Sequence, residues 1–232
     1  MGIDDAGNFV IAWQSSGQDG SGWGIYAQRY AATGEPQGGE VLVNTTTSSN
    51  QQSPVVLMKS NGDFAIIWAS TAGIFMHRYN AAGTTLSEGV LPSTGAAQVL
   101  SAAADANGNM VIVTTASNSV LAQRFSAAGV AQGPAFGVNM SPNLYTGVTP
   151  RVAMDSVGSY VVVWANQITS GDTDIYARRY NAANAAQGDQ FRVNTTTAGM
   201  QEYPTVAMDS AGNFIVNWQT SVKRPRTVRP AL

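Results

Sequence analysis

One phrase recurs along this chain and constrains its fold more than any other feature. The residues DDAGNFVIAWQSS begin at Asp4, and the near-copy DSAGNFIVNWQTS begins at Asp209. Alignment on the glycine of this phrase gives five copies, separated by 55, 46, 50 and 54 residues. The glycines are Gly7, Gly62, Gly108, Gly158 and Gly212. A repeat of this period is typical of proteins built from stacked copies of one small unit.

Each repeat contains four short segments with the composition of β-strands. In the order of the chain they are the apolar run after the turn glycine (residues 9–13), a segment ending in Arg and an aromatic residue (25–30), a third segment (40–44), and a proline-containing segment before the next turn glycine (54–58). All are rich in β-branched and aromatic residues and are bounded by turn residues. Starting from the proline-containing segment, we name these strands a, b, c and d.

The run after the turn glycine is apolar at nearly every position, which predicts a strand buried on both faces. A sheet with such a strand must stack between two others. We therefore predict an all-β protein, a β-propeller-like array of four-stranded antiparallel blades with about four repeats. Residues 1–222 form one repeat domain in this prediction. Its repeats are about 1–53, 54–98, 99–149 and 150–203, with a partial copy at 204–222.

The connection between strands c and d is predicted to be a tight hairpin. Five residues after each shared arginine the chain carries Gly34, Gly83, Gly129 and then Asn184. Asparagine is the residue that best replaces glycine where the backbone angle φ is positive. The substitution therefore indicates a left-handed position in this turn.

Composition excludes several classes of site. The chain has no cysteine and only 11% charged residues, so disulfides, thiolate metal sites and cysteine nucleophiles are absent. No apolar run is long enough to span a membrane, and we see no signal peptide. Residues 223–232 match no repeat and are basic; we expect a disordered tail and no nucleic-acid partner, because its charges lack interleaved aromatic residues.

Three phrases carry a resemblance to a known family. VAMDSAGNFIVNWQ, DIYARRYNAA and QFRVNTTTAG resemble a tandem repeat of very large secreted or surface-attached bacterial proteins, which often also carry cadherin-like or RTX-like modules. The resemblance covers residues 1–222 and is strongest at 150–221. It implies an extracellular or cell-surface setting and a propeller-like fold, and it supplies no catalytic residues.

The candidate binding residues lie in the variable loops. The a–b and c–d turns are uniform in all repeats, whereas the b–c loops of repeats 1 and 4 are about five residues longer than the others. Variable loops on a rigid scaffold commonly carry function. We predict a ligand site on the b–c and d–a face, with repeats 1 and 4 as neighbours across a closed ring. The candidate residues are Gln18, Asp19, Trp23, Tyr145, Asp172, Asp174 and Tyr203.

Several other motifs favour structural roles. Asp172 and Asp174 are weak calcium candidates, because calcium requires six to eight oxygen ligands. The recurring arginines (Arg29, Arg78, Arg124 and Arg179) are predicted to bond, within each blade, to the aspartate three residues before the turn glycine. His77, the only histidine, is interpreted as structural. The Asn-x-Ser/Thr triplets that begin at Asn44, Asn139 and Asn194 are interpreted as turn residues.

We find no catalytic set in the sequence. No Ser-His-Asp arrangement or phosphate loop is present, and none of the four glutamates lies in a long b–c loop. The prediction is a non-catalytic interaction or spacer module that binds a protein or carbohydrate, without a required cofactor. The alternatives are a carbohydrate- or calcium-binding lectin-like module and, less favoured, a propeller hydrolase or lyase.

The two ends of the chain raise a question of closure. The first repeat contains no segment that matches strand a, and segment 203–208 is an a-type strand without a complete blade. Because unpaired strand edges recruit strands, we predict that segment 203–208 pairs beside segment 9–13 and closes the ring. The near-copy at 214–218 would then be displaced, or the ring would stay open and self-associate.

Overall fold

The structure, a computed structural model, describes residues 1–92, 101–140, 144–145 and 149–221. The predicted basic tail, 223–232, lies outside the described residues. Within the described part the regular elements are eighteen β-strands. They are β1 (Gly2–Ile3), β2 (Phe9–Ser16), β3 (Trp23–Tyr30), β4 (Val41–Leu42), β5 (Gln51–Met58), β6 (Phe64–Ser70), β7 (Gly73–Tyr79), β8 (Thr85–Leu91), β9 (Ser101–Ala104), β10 (Met110–Ala116), β11 (Ser119–Phe125), β12 (Phe136–Gly137), β13 (Arg151–Met154), β14 (Tyr160–Thr169), β15 (Asp172–Tyr180), β16 (Phe191–Arg192), β17 (Met200–Met208) and β18 (Phe214–Ser221). No helix in these ranges is long and apolar enough to cross a membrane.

The first sixteen strands form four antiparallel sheets, each with four strands in chain order. The sheets are β1-β2-β3-β4, β5-β6-β7-β8, β9-β10-β11-β12 and β13-β14-β15-β16. The last one continues into β17 and β18, because Thr173 of β15 pairs in parallel with Met200 of β17. The four sheets are arranged as the blades of a β-propeller, which confirms the predicted fold class. We call them the first to the fourth blade, with strands a to d in the order of the sequence prediction.

The strands b are apolar throughout because each internal one lies between two blades. In the second blade, Phe64, Ile66 and Trp68 pack against the first blade. The alternate residues Ile67 and Ala69 pack against the third blade. Successive side chains of a strand point to opposite faces, so a strand covered on both faces requires an apolar side chain at each position.

Strands β17 and β18 form a hairpin that packs on the fourth blade. Val206, Phe214 and Val216 lie against Val161 and Val163 of the fourth blade. The two strands are strands a and b of the fifth copy of the repeat. The hairpin therefore covers the face of the fourth blade that was expected to meet the first blade.

The predicted closure of the ring is wrong. Strand β1 supplies the first blade with its own strand a, because Gly2 and Ile3 pair with Val10 and Phe9. The strand expected in that place, β17, pairs with β18 instead. The physical reason is that adjacent antiparallel segments satisfy their hydrogen bonds through one short turn, which favours the local partner over a distant one.

The repeated tryptophans differ in their surroundings. Trp68 and Trp164 are 2% and 0% exposed and lie between blades, as predicted. Trp13 lies outside the described core clusters, and Trp218 in the last hairpin is 36% exposed. The prediction that all four lie between blades is wrong for these two: Trp13 lies on the face of the first blade that the second blade does not cover, and Trp218, on the face of β18 that packs on the fourth blade, has no strand c beside it among the described residues.

The c–d hairpins have the predicted left-handed residue. The φ angles are 88°, 84° and 82° at Gly34, Gly83 and Gly129, and 67° at Asn184. In all four hairpins the residue at this position donates its N–H to the carbonyl three residues before it, at 2.8–2.9 Å. The asparagine is therefore the conformational equivalent of the glycines, as the sequence indicates.

Candidate binding face

The blades present two kinds of connection at opposite ends of their strands. We call the end with the a–b and c–d turns the turn face, and the end with the b–c and d–a loops the loop face. On the turn face, the side chain after the turn glycine accepts a hydrogen bond of 3.2–3.3 Å from the c–d turn. These pairs are Asn8–Ala32, Asp63–Ala81 and Asn109–Ala127. The contact recurs in the first three blades, so their turn faces are uniform.

The repeated aspartates of the turn face stabilise their own turns. Asp105 accepts hydrogen bonds of 2.9 Å from both the backbone N–H and the side-chain amide of Asn109. Asp4 and Asp209 make the same contacts with Asn8 and Asn213. These hydrogen bonds hold the pKa of the Asp4 and Asp209 carboxyls below its ordinary value, because they favour the charged form.

The predicted pairing of these aspartates with the repeated arginines is therefore wrong. Arg124 is buried and donates to the carbonyl oxygen of Gly158, in the a–b turn of the next blade, at 2.7 Å. Arg29 donates to the carbonyl of Ala82, in the c–d turn of the next blade. The role is structural, as expected, but the two arginines link neighbouring blades and do not bond within one.

His77 also contributes to the contact between blades. It is buried, and its ring lies beside the main chain of Val43 in the first blade. Arg178, at the same place in the fourth blade, donates to the carbonyl of Val138 at 3.1 Å. Burial lowers the pKa of His77, although the Glu88 carboxylate, 3.3 Å from Nε2, opposes the shift.

On the loop face, a repeated asparagine joins strands c and d. The side-chain oxygens of Asn44, Asn139 and Asn194 accept the backbone N–H at the start of strand c, at 2.7–2.8 Å. The sequence prediction interpreted these asparagines as turn residues and missed this contact. The signal was their recurrence after strand d in three repeats.

The three predicted residues of the first blade each bond to a residue of strand d or of the d–a loop. The side-chain amide of Asn44 donates to Asp19 at 3.4 Å. The backbone N–H of Trp23 donates to the side chain of Asn50 at 3.1 Å. Gln18 donates to the Glu40 carboxylate. The long b–c loop of this blade is thus attached to the d–a loop.

In the fourth blade the aspartate beside the repeated asparagine is Asp174, whose position in the repeat differs from that of Asp19 in the first blade. Asn194 donates to Asp174 at 2.6 Å, and the Arg192 guanidinium lies 3.6 Å from the same carboxylate. The position equivalent to Asp174 in the first blade is Gly24, where an added Cβ would lie 2.6 Å from an Asp19 carboxylate oxygen. Asp19 therefore occupies the place of the Asp174 side chain, and both long loops place a carboxylate beside the repeated asparagine.

The calcium candidates differ in their environment. Asp174 is buried and already has the amide of Asn194 and the cation of Arg192 beside it. One carboxylate oxygen of Asp172 is buried without a hydrogen-bond partner. Among the described residues no three His, Cys, Asp or Glu side chains lie together as a metal site.

The two predicted tyrosines lie at the last hairpin, β17–β18: Tyr203 is part of β17, and Tyr145 lies near Glu202 of the same strand. Burial together with the Glu202 carboxylate raises the pKa of the Tyr145 phenol. Tyr203 is exposed, with a positive φ of 54°. These residues and Asp172 belong to the end of the array away from Asp19, with the second and third blades between them in the packing order. The predicted single site across a closed ring is therefore divided in two.

A cleft that the sequence prediction missed lies between the first and second blades on the loop face. Its base is formed by Trp68 and Phe75, whose rings stack with centres 5.6 Å apart. Its walls carry hydroxyl groups from the d–a loop of the first blade and the b–c turn of the second. The hydroxyl-bearing residues are Thr45, Thr46, Ser48, Ser49, Ser70 and Thr71.

Gln51 is the unusual residue of this cleft. It is 2% exposed, its side-chain nitrogen donates to the carbonyl of Ser48 at 3.0 Å, and its side-chain oxygen has no hydrogen-bond partner. The equivalent oxygen of Gln201, in the last hairpin, accepts from Trp218 at 3.1 Å and from Thr220 at 2.7 Å. A buried acceptor without a donor is rare and costly in folded proteins.

A second cleft, on the turn face between the second and third blades, is lined mainly by apolar residues. They include Leu57, Met58 and Phe64. Of its charged groups, the Lys59 amine and the Asp63 carboxylate lie 3.8 Å apart and pair with each other, and Arg78 also lines the cleft. The loop-face cleft is the better candidate, since its polar lining contains an acceptor that lacks a donor.

Comparison with known proteins supports the fold alone. No protein-family model and no curated protein sequence matches this chain. A protein of unknown function from Dyadobacter fermentans is similar in structure, with a TM-score of 0.59 and 9% identity, over 86% of this chain and 69% of the other. NanB sialidase from Streptococcus pneumoniae has a TM-score of 0.56 and 12% identity, over 87% of this chain and 33% of its own. The fucose-specific lectin from Aleuria aurantia has a TM-score of 0.51 and 13% identity, over 92% and 71%.

Proposed function

We propose that this protein is a non-catalytic binding module that holds a carbohydrate on the loop face, in the cleft between its first two blades. The observation that carries the proposal is the buried, unpartnered side-chain oxygen of Gln51. A hydroxyl group of a bound sugar supplies the donor that Trp218 and Thr220 supply to Gln201.

The remaining chemistry of the cleft suits the same ligand. Sugars present hydroxyl groups around a ring whose C–H surface is apolar, and binding sites commonly combine an apolar base with a few polar groups. Here the apolar base is the Trp68–Phe75 pair, and the wall hydroxyls both donate and accept hydrogen bonds. The cleft carries no charged side chain among its lining residues, which favours a neutral sugar.

The proposal is non-catalytic because no Asp or Glu among the described residues lines the cleft. Elsewhere on the loop face, Asp19 and Asp174 accept hydrogen bonds from asparagines. A glycosidase uses two carboxyl groups that converge on the scissile bond. We further propose that the module belongs to a large extracellular bacterial repeat protein, as the sequence resemblance implies.

The test is a glycan array screened with and without calcium, followed by calorimetric titration of the glycans that bind. The variant Gln51→Met removes the acceptor and retains the length of the side chain. We expect it to weaken binding by about tenfold, the value of one or two hydrogen bonds. The matched control, Gln201→Met, makes the same change where the oxygen is already satisfied, and we expect it to leave affinity unchanged.

Three outcomes contradict the proposal. The cleft is the wrong site if both variants bind as the parent chain does; loss of binding in Trp23→Ala or Asp172→Asn would then indicate the long loops. An array without any binding glycan rejects the ligand class. Release of a cleaved product from a bound glycan, detected by mass spectrometry, rejects the non-catalytic assignment.

A further inference from the structure

The first and third blades each place a cation and an anion against the next blade on the turn face. In the third blade the Arg124 guanidinium and the Asp105 carboxylate lie 3.1 and 3.3 Å from the point where a Cβ on Gly158 would lie. Asp4 and Arg29 of the first blade likewise contact turns of the second blade. Each of these interfaces therefore combines an arginine from strand c with an aspartate from the a–b turn.

The second blade replaces the anion with a second cation. The residue at the repeat position of Asp105 is Lys59, whose Cε lies 3.4 Å from the point where a Cβ on Gly108 would lie. Lys59 therefore occupies the place beside the next blade that Arg124 takes in the third interface. Arg78, the repeated arginine of the second blade, makes no hydrogen bond or ion pair among the residues that the structure describes.

Asp63 balances only one of these two cations. Its carboxylate lies 3.8 Å from the Lys59 amine and also accepts hydrogen bonds from the side chain of Asn61 and the backbone of Ala81. In the described part of the chain, the charged residues that line the cleft between the second and third blades are Lys59, Asp63 and Arg78. The cleft thus has a net positive charge, and the guanidinium of Arg78 carries it.

The rest of this cleft, which we call the turn-face cleft, is mainly apolar. Leu57 of the second blade and Met110 of the third line it and pack in the core between these blades. Leu86, in strand d of the second blade, lines it as well and is 52% exposed. The volume is about 460 Å³, within the range of about 300–1,000 Å³ that is typical of sites for small ligands.

We propose that the turn-face cleft binds a small carboxylic acid with an unbranched apolar chain, the chemistry of a medium-chain fatty acid. The ligand carboxylate accepts hydrogen bonds from the Arg78 guanidinium, whose planar fork matches a carboxylate. It supplies the anion that Asp105 supplies to the third interface. The chain of the ligand lies on Leu57 and Met110 and covers Leu86. One unpaired cation calls for one negative charge, so a monoanion suits the cleft better than a phosphate.

The probe is octanoate, titrated calorimetrically into the full chain without any glycan, and octan-1-ol is the uncharged control with the same number of carbons. We expect octanoate to bind about tenfold more tightly than octanol, because hydrogen bonds to charged groups are the stronger ones. Arg78→Met should weaken octanoate binding by about tenfold and leave octanol binding unchanged. Arg179→Met, at the same repeat position in the fourth blade and exposed, is the matched control and should bind octanoate like the parent chain.

A second variant gives this turn the sequence of the other repeats. Lys59→Asp combined with Asp63→Asn introduces the pair formed by Asp105 and Asn109, whose hydrogen bonds stabilise the turn of the third blade. It should fold, because other copies of the repeat carry the same pair, and it should weaken octanoate binding by about tenfold or more, since the new carboxylate supplies the missing anion. Leu86→Asn should weaken octanoate and octanol binding alike.

Three results overturn the proposal. Absence of octanoate binding below the concentration at which octanoate forms micelles rejects the ligand class. Equal affinities for octanoate and octanol show that the positive charge of the cleft has no part in binding. Octanoate binding that survives both Arg78→Met and the double substitution lies elsewhere on the molecule. Glycan binding is measured separately at the opposite face, so either proposal can fail alone.

Discussion

Trp164 and Trp218 occupy the same position of the repeat and have opposite environments. Trp164 is fully buried between the third and fourth blades, and its indole N–H has no hydrogen-bond partner. Trp218 is 36% exposed, and its indole N–H donates to Gln201. The comparison teaches that the repeat supplies the same side chain everywhere, while the strands around it decide whether it is buried: Trp164 stacks on Tyr176 of its own strand c, and β18 has no strand c beside it among the described residues.

The largest predicted effect separates these two residues directly. Trp164→Ala should lower the free energy of unfolding by about 3–5 kcal/mol, because it leaves a cavity in a covered interface. Trp218→Ala should cost about 1 kcal/mol or less, since the site is partly solvated. Urea denaturation of both variants measures the difference. Equal losses would mean that the last hairpin is as well packed as the interior.

Trp164→Phe refines the same comparison. Phenylalanine retains most of the apolar contact and removes the buried N–H that has no partner. Trp164→Phe should therefore lower the free energy of unfolding clearly less than Trp164→Ala does. Part of this difference comes from the smaller cavity, and part from removal of the buried N–H that has no partner. A loss equal to that of alanine would show that the indole nitrogen has a partner in solution.

The next largest difference in stability is expected between alanine variants of two equivalent asparagines, Asn44 in the first blade and Asn194 in the fourth. Asn194→Ala leaves the buried N–H of Ile175 without a partner and removes the amide donor from the buried Asp174 carboxylate, which keeps Arg192. It should cost about 3 kcal/mol. Asn44→Ala should cost about half as much, because Asp19 is less buried and its bond to Asn44 is longer. Thermal unfolding of the two variants measures the order, which would be reversed if the Asp19 loop were the more rigid one.

The arginine contacts between blades rank third. Arg124→Met should cost about 2 kcal/mol, because it removes a charged donor to the Gly158 carbonyl in a buried setting. Arg179→Met, at the same repeat position but exposed, should change stability by less than about 0.5 kcal/mol. A large effect at Arg179 would contradict this interpretation of the repeated arginine.

The smallest effect concerns pH. Burial lowers the pKa of His77 below its ordinary value of 6.5, so the unfolded chain binds a proton more readily than the folded one. The contribution of His77 to stability is therefore present above pH 6.5 and is lost as the pH falls below it. His77→Gln, which introduces the residue of the first and third blades (Gln28 and Gln123), should reduce the loss of stability between neutral pH and about pH 5. Identical pH profiles would show that His77 titrates normally.

The candidate site was only partly predictable from the sequence. The long b–c loops identify Asp19 and Asp174, but their equivalence depends on the Gly24 position, where the carboxylate of Asp19 reaches from another part of the chain. Gln51 gave no signal, since its importance rests on a missing hydrogen-bond donor, which is a property of the surrounding structure. The predicted partners of the arginines were wrong because a sequence repeat does not distinguish contacts within a blade from contacts between blades.

The sequence by itself determined the blade: its four strands, their order, the left-handed residue of each c–d hairpin and the side chains that face each neighbour. These follow from local rules, namely alternation along a strand and the few residues that tolerate a positive φ. Only the tertiary structure decided how the ends are arranged. The near-identical strands β2 and β18 each accepted a local partner, in β1 and β17. Because the repeated strands are nearly identical in sequence, the sequence alone does not distinguish a neighbouring partner strand from a distant one. The local pairing is favoured because it closes a shorter loop and so costs less chain entropy.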